Sequence, residues 1–311
     1  MSRERGRRGA VRVMILLVGA QLMAVPPAAS PAAGDPVLVG AGDIASCSSA
    51  GDEATAALLD QVVSQEPDAT VFTTGDNVYN SGTASEYANC YEPSWGRHKV
   101  RTRPAPGNHD YRTSGAAGYY GYFGAAAGDP ARGYYDYAKG AWHVIVLNSS
   151  CSGAGGCGTG SPQEQWLRAV LTGSTSPCTV AIWHHPVFSS SSEHGSTSRL
   201  RPFWETLYEF GADVVLAGHD HVYERFAPQT ATGAADPNFG IRQFTVGTGG
   251  RSHDGFGSPL PNSEVRNNDT TGVLKLTLGA GGYGWQFLPG AGGTFTDSGT
   301  GICHGAPTAA G

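Results

Sequence analysis

Five short motifs in this sequence each close an apolar run on groups that can do chemistry: Gly42-Asp43, Gly75-Asp76-Asn77-Val78-Tyr79, Gly107-Asn108-His109-Asp110, His184-His185 and Gly218-His219-Asp220-His221. A buried strand that stops at Gly-Asp sets a carboxylate at the carboxyl edge of a sheet, where open α/β sheets hold their ligands. Tyr79, three residues beyond Asp76, brings a phenol to the same spot if the loop curls back. Singly, each motif has a plain structural explanation. Asp after Gly often only caps a turn, Asn108 suits an Asx-turn, and His184 beside His185 could be a core imidazole next to a surface one. Five coincidences at successive strand ends are harder to dismiss. The donors are all oxygen and nitrogen, with no sulfur, which selects iron, zinc or manganese over copper(I) or an iron–sulfur centre. They are too many for one ion and about right for two, and alternate residues of Gly218–His221 can reach different ions. Two ions ~3.5–4 Å apart clamp the attacking and leaving oxygens of an in-line phosphoryl displacement and make hydroxide available near neutral pH.

The elements that must position these groups are legible from apolar runs and their stops. Val37 to Ala41 leads into Asp43, and Thr70 to Thr74 leads into Asp76. Val100 to Pro106 leads into Asn108, Cys178 to Trp183 into His184, and Asp213 to Ala217 into His219. Helices are expected over Asp52–Gln65, stopped by Pro67, from Pro162 to Leu171 with Pro at a tolerated first-turn position, and over Phe203–Phe210. An irregular helical patch is expected around Glu86–Trp95, and a β-hairpin at Tyr134–Leu147 with Gly140 in its turn. Beyond residue 225 the pattern changes to short strands separated by Gly-rich turns, at Phe244–Val246, Val273–Leu278 and Trp285–Phe287. The reading is an α/β domain with two sheets: α/β units first, an antiparallel-leaning second half, and helices on the outer faces.

The chain has 311 residues, 40% hydrophobic and 15% charged, enough for one large core. Arg3, Arg5, Arg7, Arg8 and Arg12 precede the apolar run Val13–Val25, and small residues and proline follow. Residues 1–32 therefore read as a secretory signal peptide, with an Arg7-Arg8 pair of the twin-arginine kind. Its apolar part is short for a membrane span. Without it the formal charge moves from −6 to −10, with 15 basic and 25 acidic residues. So acidic a chain lacks the electrostatic footprint of a nucleic-acid partner, and any anion binding must come from local charge. Six cysteines in an exported chain favour disulfides. Cys151 with Cys157, Cys47 with Cys90 and Cys178 with Cys303 are the expected pairs, although spacing alone does not fix connectivity.

Taken in order, the five motifs resemble the calcineurin-like metallophosphoesterases, and more narrowly their purple acid phosphatase branch in its small single-domain form. The resemblance covers residues 37 to about 225. It implies a four-layer α/β/β/α sandwich of two mixed β-sheets flanked by helices, formed by residues 33–311 as a single catalytic domain. It also implies that Asp43, Tyr79 and His221 hold one ion, an Fe(III), and that Asn108, His184 and His219 hold a divalent Fe, Zn or Mn. Asp76 would bridge the two. His109 matches the histidine that contacts the phosphate and assists the leaving group, and His194 falls where plant-type members carry another substrate-facing histidine. His185, adjacent to a ligand, is expected to line the pocket or support a ligand.

Two departures from the family pattern stand out. Most of the superfamily carries Asp-x-His at the first motif, whereas Ala45 occupies the third position here. The missing imidazole leaves a vacancy for Tyr79, which favours the purple branch. That branch usually reads Gly-Asp-x-Gly, where this chain reads Gly-Asp-Ile-Ala. His98, His143, His253 and His304 sit in no motif and are expected to be structural, and Tyr111, Tyr119, Tyr120 and Tyr122 to pack or to wall the cleft. The expectation is a secreted or cell-envelope dimetal enzyme that hydrolyses phosphate monoesters by attack of a metal-bound hydroxide. A phosphodiesterase or nucleotide hydrolase on the same site is the nearest alternative, and a non-catalytic binding module a more distant one.

Overall fold

Every apolar run that closes on a chemical motif forms a short buried strand in the computed structural model, which describes residues 31–307. The expected leader therefore lies, but for its last two residues, outside the described residues. In chain order come β1 (Val37–Ala41), β2 (Ala45–Ser46), α1 (Gly51–Gln65), β3 (Thr70–Thr73) and β4 (Val78–Tyr79). A short α2 (Ala84–Glu86), a π-helical turn at Tyr87–Tyr91 and a 3-10 helix at Trp95–Arg101 lead to β5 (Thr102–Pro104). Next are α3 (Ala117–Phe123), the hairpin β6 (Tyr135–Lys139) and β7 (Trp142–Val146), α4 (Pro162–Gly173), β8 (Cys178–Ile182), α5 (Arg201–Glu209) and β9 (Val214–Ala217). The remainder is β10 (Tyr223–Phe226), β11 (Arg242–Val246), β12 (Ser263–Asn267), β13 (Gly272–Leu278), β14 (Gly282–Pro289) and β15 (Ser298–Ile302).

The strands assemble into a six-stranded sheet, ordered β15-β14-β13-β1-β3-β5, and a seven-stranded sheet, ordered β12-β10-β11-β9-β8-β7-β6, with a small β2-β4 pair beside them. β1, β3 and β5 run parallel in the first, and β7, β8, β9 and β11 run parallel in the second. The second half of the chain is shared out between the two sheets. Antiparallel β13, β14 and β15 extend the first, and antiparallel β10 and β12 finish the second.

Alternation along the strands builds the layers. Val144 and Val146 of β7, Val180 and Ile182 of β8, and Val214 and Leu216 of β9 enter the main core with Leu38 and Val71 of the opposite sheet. Their neighbours Ile145, Ala181 and Val215 point the other way and pack with Leu167, Leu171, Phe203, Trp204 and Leu207 of α4 and α5. On the far side α1 lays Ala56, Leu59 and Val62 on the first sheet, meeting β1 and β13. The result is the expected α/β/β/α order. Each fully buried leucine of these helices contributes about 1.5–3 kcal/mol.

Local chemistry starts the elements where the sequence says it should. Ser161 caps α4 by accepting from the Glu164 N–H, with Pro162 in the first turn. Thr83 and Glu86 form a reciprocal capping box that opens the irregular helical patch. Cys47–Cys90, Cys151–Cys157 and Cys178–Cys303 pair as expected. The last of these ties the end of β15 to the start of β8. No helix among the described residues is long and apolar enough to cross a membrane.

Candidate metal centre

Because β1, β3, β5, β8 and β9 all point the same way within their sheets, the loops that follow them gather at one edge of the sandwich. Backbone bonds stitch the two sheets together there. The Gly42 N–H donates to the Val246 carbonyl of the other sheet (2.8 Å), and the Asp43 N–H donates to the Gly75 carbonyl within its own (3.0 Å). The His219 N–H donates across the sheets to Asp43 Oδ2 at 2.8 Å. Glycine precedes these groups because nothing larger fits. A Cβ on Gly107 would stand 2.1 Å from Asp76 Oδ1, and one on Gly75, whose φ is +95°, would stand 2.7 Å from the His184 ring. Asp43, Asp76 and His219 themselves hold φ of 58°, 49° and 72°. Left-handed backbone at non-glycine residues costs of order 1–3 kcal/mol each and clusters at functional sites. Here it falls on three of the seven expected ligands.

The side chains converge closely. Tyr79 Oη donates to Asp43 Oδ1 at 2.7 Å, lies 3.2 Å from Asp76 Oδ2 and is 3.1 Å from His221 Nε2. His221 Nε2 is 3.5 Å from Asp43 Oδ1. On the other side of Asp76, His184 Nε2 is 3.3 Å from the same Oδ2, 3.1 Å from Asn108 Oδ1 and 3.2 Å from His219 Nδ1. One carboxylate oxygen thus stands between a Tyr79–Asp43–His221 group and an Asn108–His184–His219 group. Neighbouring donors 2.0–2.2 Å from one ion are themselves about 3 Å apart, the spacing found within each group. The donor set fits two ions.

The supporting contacts orient the imidazoles. His184 Nδ1 donates to the Thr74 carbonyl at 2.8 Å, which leaves Nε2 for the centre. Asp254 accepts from the His221 N–H at 2.8 Å and lies 3.7 Å from its Nδ1. The 2.8 Å bond is to the backbone N–H and the ring nitrogen is beyond hydrogen-bond reach, so Asp254 holds the His221 backbone and sets negative charge beside the ring. Sequence reasoning missed Asp254; its only signal was the Gly-rich run after β11, which marks close backbone approach. It also missed Ser149, whose Oγ sits 2.8 Å from His185 Nδ1.

The remaining expected residues also gather here. His109 gives its Nδ1 to the Asn80 carbonyl (2.7 Å), so Nε2 faces the centre at 3.9 Å from Asp76 Oδ2. The exposed His194 ring stacks on His219 at 4.3 Å, and Gly195 next to it donates to Asp220 Oδ1 at 3.3 Å. The His185 ring is 4.2 Å from that of His219. The histidines outside the motifs find ordinary partners: His98 meets Asp60, His143 meets Asp136, and His304 meets the Gly240 carbonyl. Tyr119, Tyr120 and Tyr122 pack with Phe123 in an aromatic cluster, and Tyr111 bonds to Tyr120 and Asn148.

The electrostatics without ions are those of a site built for cations. Burial, then Asp43 and Asp76, push the Tyr79 phenol well above its ordinary range. Burial opposes protonation of His184, yet Asp76 and Asp43 raise it to about 9. Asp76 is buried, which would raise it, but His184 and His109 hold it well below the carboxylate range. Two buried carboxylates and a phenol thus face protons on imidazoles, and cations replace those protons naturally.

Comparison with known proteins agrees with this geometry. A model of the calcineurin-like phosphoesterase family matches residues 37–223. Purple acid phosphatase 22 of Arabidopsis thaliana is 32% identical over 161 residues, 47% of this chain and 35% of its own length. The Fe(3+)-Zn(2+) purple acid phosphatase 12 of the same plant is 30% identical over 142 residues, 41% of this chain and 29% of its own length. The chain thus spans about a third of the length of the curated relatives it matches. The purple acid phosphatase PPD1 from yellow lupin (Lupinus luteus) seeds shares the fold, with a TM-score of 0.66 at 19% identity, over 85% of this chain and 53% of that one. The chain belongs to the calcineurin-like phosphoesterase family, and within it resembles the purple acid phosphatase branch.

Proposed function

We propose that residues 33–311 form a two-metal phosphatase that hydrolyses phosphate monoesters outside the cytoplasm. The observation that carries this reading is the Asp76 carboxylate, set between the Tyr79 group and the His184 group at 3.2 and 3.3 Å. Asp43, Tyr79 and His221 would hold an Fe(III), and Asn108, His184 and His219 a divalent Fe, Zn or Mn, with Asp76 shared. A phenol beside two carboxylates suits a trivalent ion, and an amide with two neutral imidazoles suits a divalent one. Bound there, the ions would supply positive charge toward the phosphoryl oxygens and a water of lowered pKa.

The chain's own residues do the rest. Asn80 fixes the His109 tautomer, so that Nε2 is the atom able to give a proton to the leaving oxygen or hydrogen-bond to it. Burial lowers the His109 pKa, and Asp76 beside it acts the other way. His194, stacked on His219, can meet the phosphate from the other flank. The three disulfides and the leader-like residues 1–32 support export to the cell envelope or beyond it.

A paired assay tests this reading. Purified mature protein is given an aryl phosphate monoester and the matching diester, beside Asp76→Ala and Asn108→Ala, with metal content measured for each. A large monoester preference is expected, with turnover lost in both variants as the metal centre is disrupted. Tyr79→Phe is expected to abolish a visible charge-transfer band. Preference for the diester would turn the reading to a phosphodiesterase, and metal binding without turnover of either ester would turn it to a binding module.

A further inference from the structure

Beside this centre stand two arginines, neither of them held by a carboxylate among the described residues. Arg251 follows Gly249-Gly250 after β11, and its backbone N–H donates to the Asp43 carbonyl at 3.0 Å, so its root is tied to the metal centre. Its half-buried side chain lies over the Tyr79 ring, 4.8 Å from the centroid. Its one side-chain hydrogen bond is a long contact from Nη1 to Ser46 Oγ, 3.4 Å. Arg112 is exposed and anchored on Asn80, to the carbonyl at 3.2 Å and to Oδ1 at 2.9 Å. That carbonyl is also the acceptor of His109.

The chain as a whole is acidic, at −6, so these two are not part of a general positive field. A guanidinium fork with no carboxylate partner is the group best suited to grip a phosphate through paired hydrogen bonds. The scissile phosphoryl already has two metal groups, His109 and His194 to meet it. The arginines are charge in excess of what one phosphate ester needs.

We propose that Arg251, with Arg112 elsewhere on the rim, binds a second phosphate of the substrate, so that the preferred substrates are organic phosphates carrying more than one phosphate group. This rests on the phosphatase reading above. In the reaction water adds to phosphorus and the bond between phosphorus and the ester oxygen breaks. The alcohol leaves with a proton, and the second phosphate stays on the organic product.

The test uses fructose 6-phosphate and fructose 1,6-bisphosphate, which differ by one phosphate, with release of inorganic phosphate as readout. Wild-type kcat/KM is expected to be about tenfold higher for the bisphosphate, the effect of one good charge-assisted contact. Arg251→Met, which keeps the aliphatic stem, is expected to lower the bisphosphate value more than the monophosphate value and so collapse the ratio. Arg251→Lys is expected to restore part of it. No preference in the wild type, or equal losses on both substrates, would overturn the proposal. If neither sugar is turned over, the phosphatase reading fails, and calorimetric binding of the same two sugars still decides the rim. Tighter bisphosphate binding that weakens in Arg251→Met supports it, and equal binding refutes it.

Discussion

Asp76 does several jobs at once. One oxygen accepts the His109 N–H at 2.7 Å while the other stands between the two donor groups. Its left-handed backbone and the bare Gly107 beside it are the local conditions of that geometry. Asp254 works at one remove, through His221. Asp254→Ala is expected to weaken metal retention by about 10–100-fold, read by competition with a chelator, with the thermal midpoint of the metal-free protein little changed. Asp43, Asp76, Tyr79, Asn108 and the imidazoles were legible as donors because each follows an apolar run. Asp254 and Ser149 were not, since neither sits in a motif that bears chemistry on its own.

Among the elements, the parallel strands and their glycines set the aim. Gly107→Ala is expected to abolish metal binding and to cost more than about 2 kcal/mol of stability, because the new Cβ would meet Asp76 Oδ1 at 2.1 Å. Metal analysis beside denaturant unfolding checks it; a variant that keeps its metal and its stability would show that the loop can give way. Helix α1 was readable from its apolar face and from Pro67. Less readable was the seating of its first turn. Gly51 packs against the Gly250 backbone and Thr55 Oγ1 donates to the Gly249 carbonyl at 2.6 Å. That contact joins residues far apart in the chain, and it braces the loop that leads to Arg251 and Asp254.

For the molecule as a whole, two buried carboxylates set a pH dependence. Burial raises Asp213 to about 7, and burial with Asp76 raises Asp110 to about 6. An unfolded aspartate titrates near ~3.9. Both groups therefore favour the folded state in their neutral form. Their contribution is complete below about pH 4 and is lost as the pH rises through 6 to 7. The thermal midpoint of the metal-stripped protein is expected to fall between pH 5 and pH 8, and Asp213→Asn to flatten the upper part of that fall. Calorimetric scans across this range would expose the opposite slope directly.

The sequence by itself determined which atoms could serve and on which strands they ride. Apolar runs are read locally, and a Gly-Asp, Gly-Asn or Gly-His stop marks a strand's carboxyl end whatever lies beside it. Export and an even count favoured disulfides, but only the fold fixed which cysteines pair. Tertiary structure decided what faces what. It divided the second half of the chain between two sheets, because β13 pairs with β1 while β11 pairs with β9. It carried Arg251 and Asp254, from a loop more than 170 residues beyond Tyr79 in the sequence, to the edge where Tyr79 sits. No local pattern encodes such a meeting, because it depends on the order and direction in which strands pair, and that is chosen by the packing of the whole core.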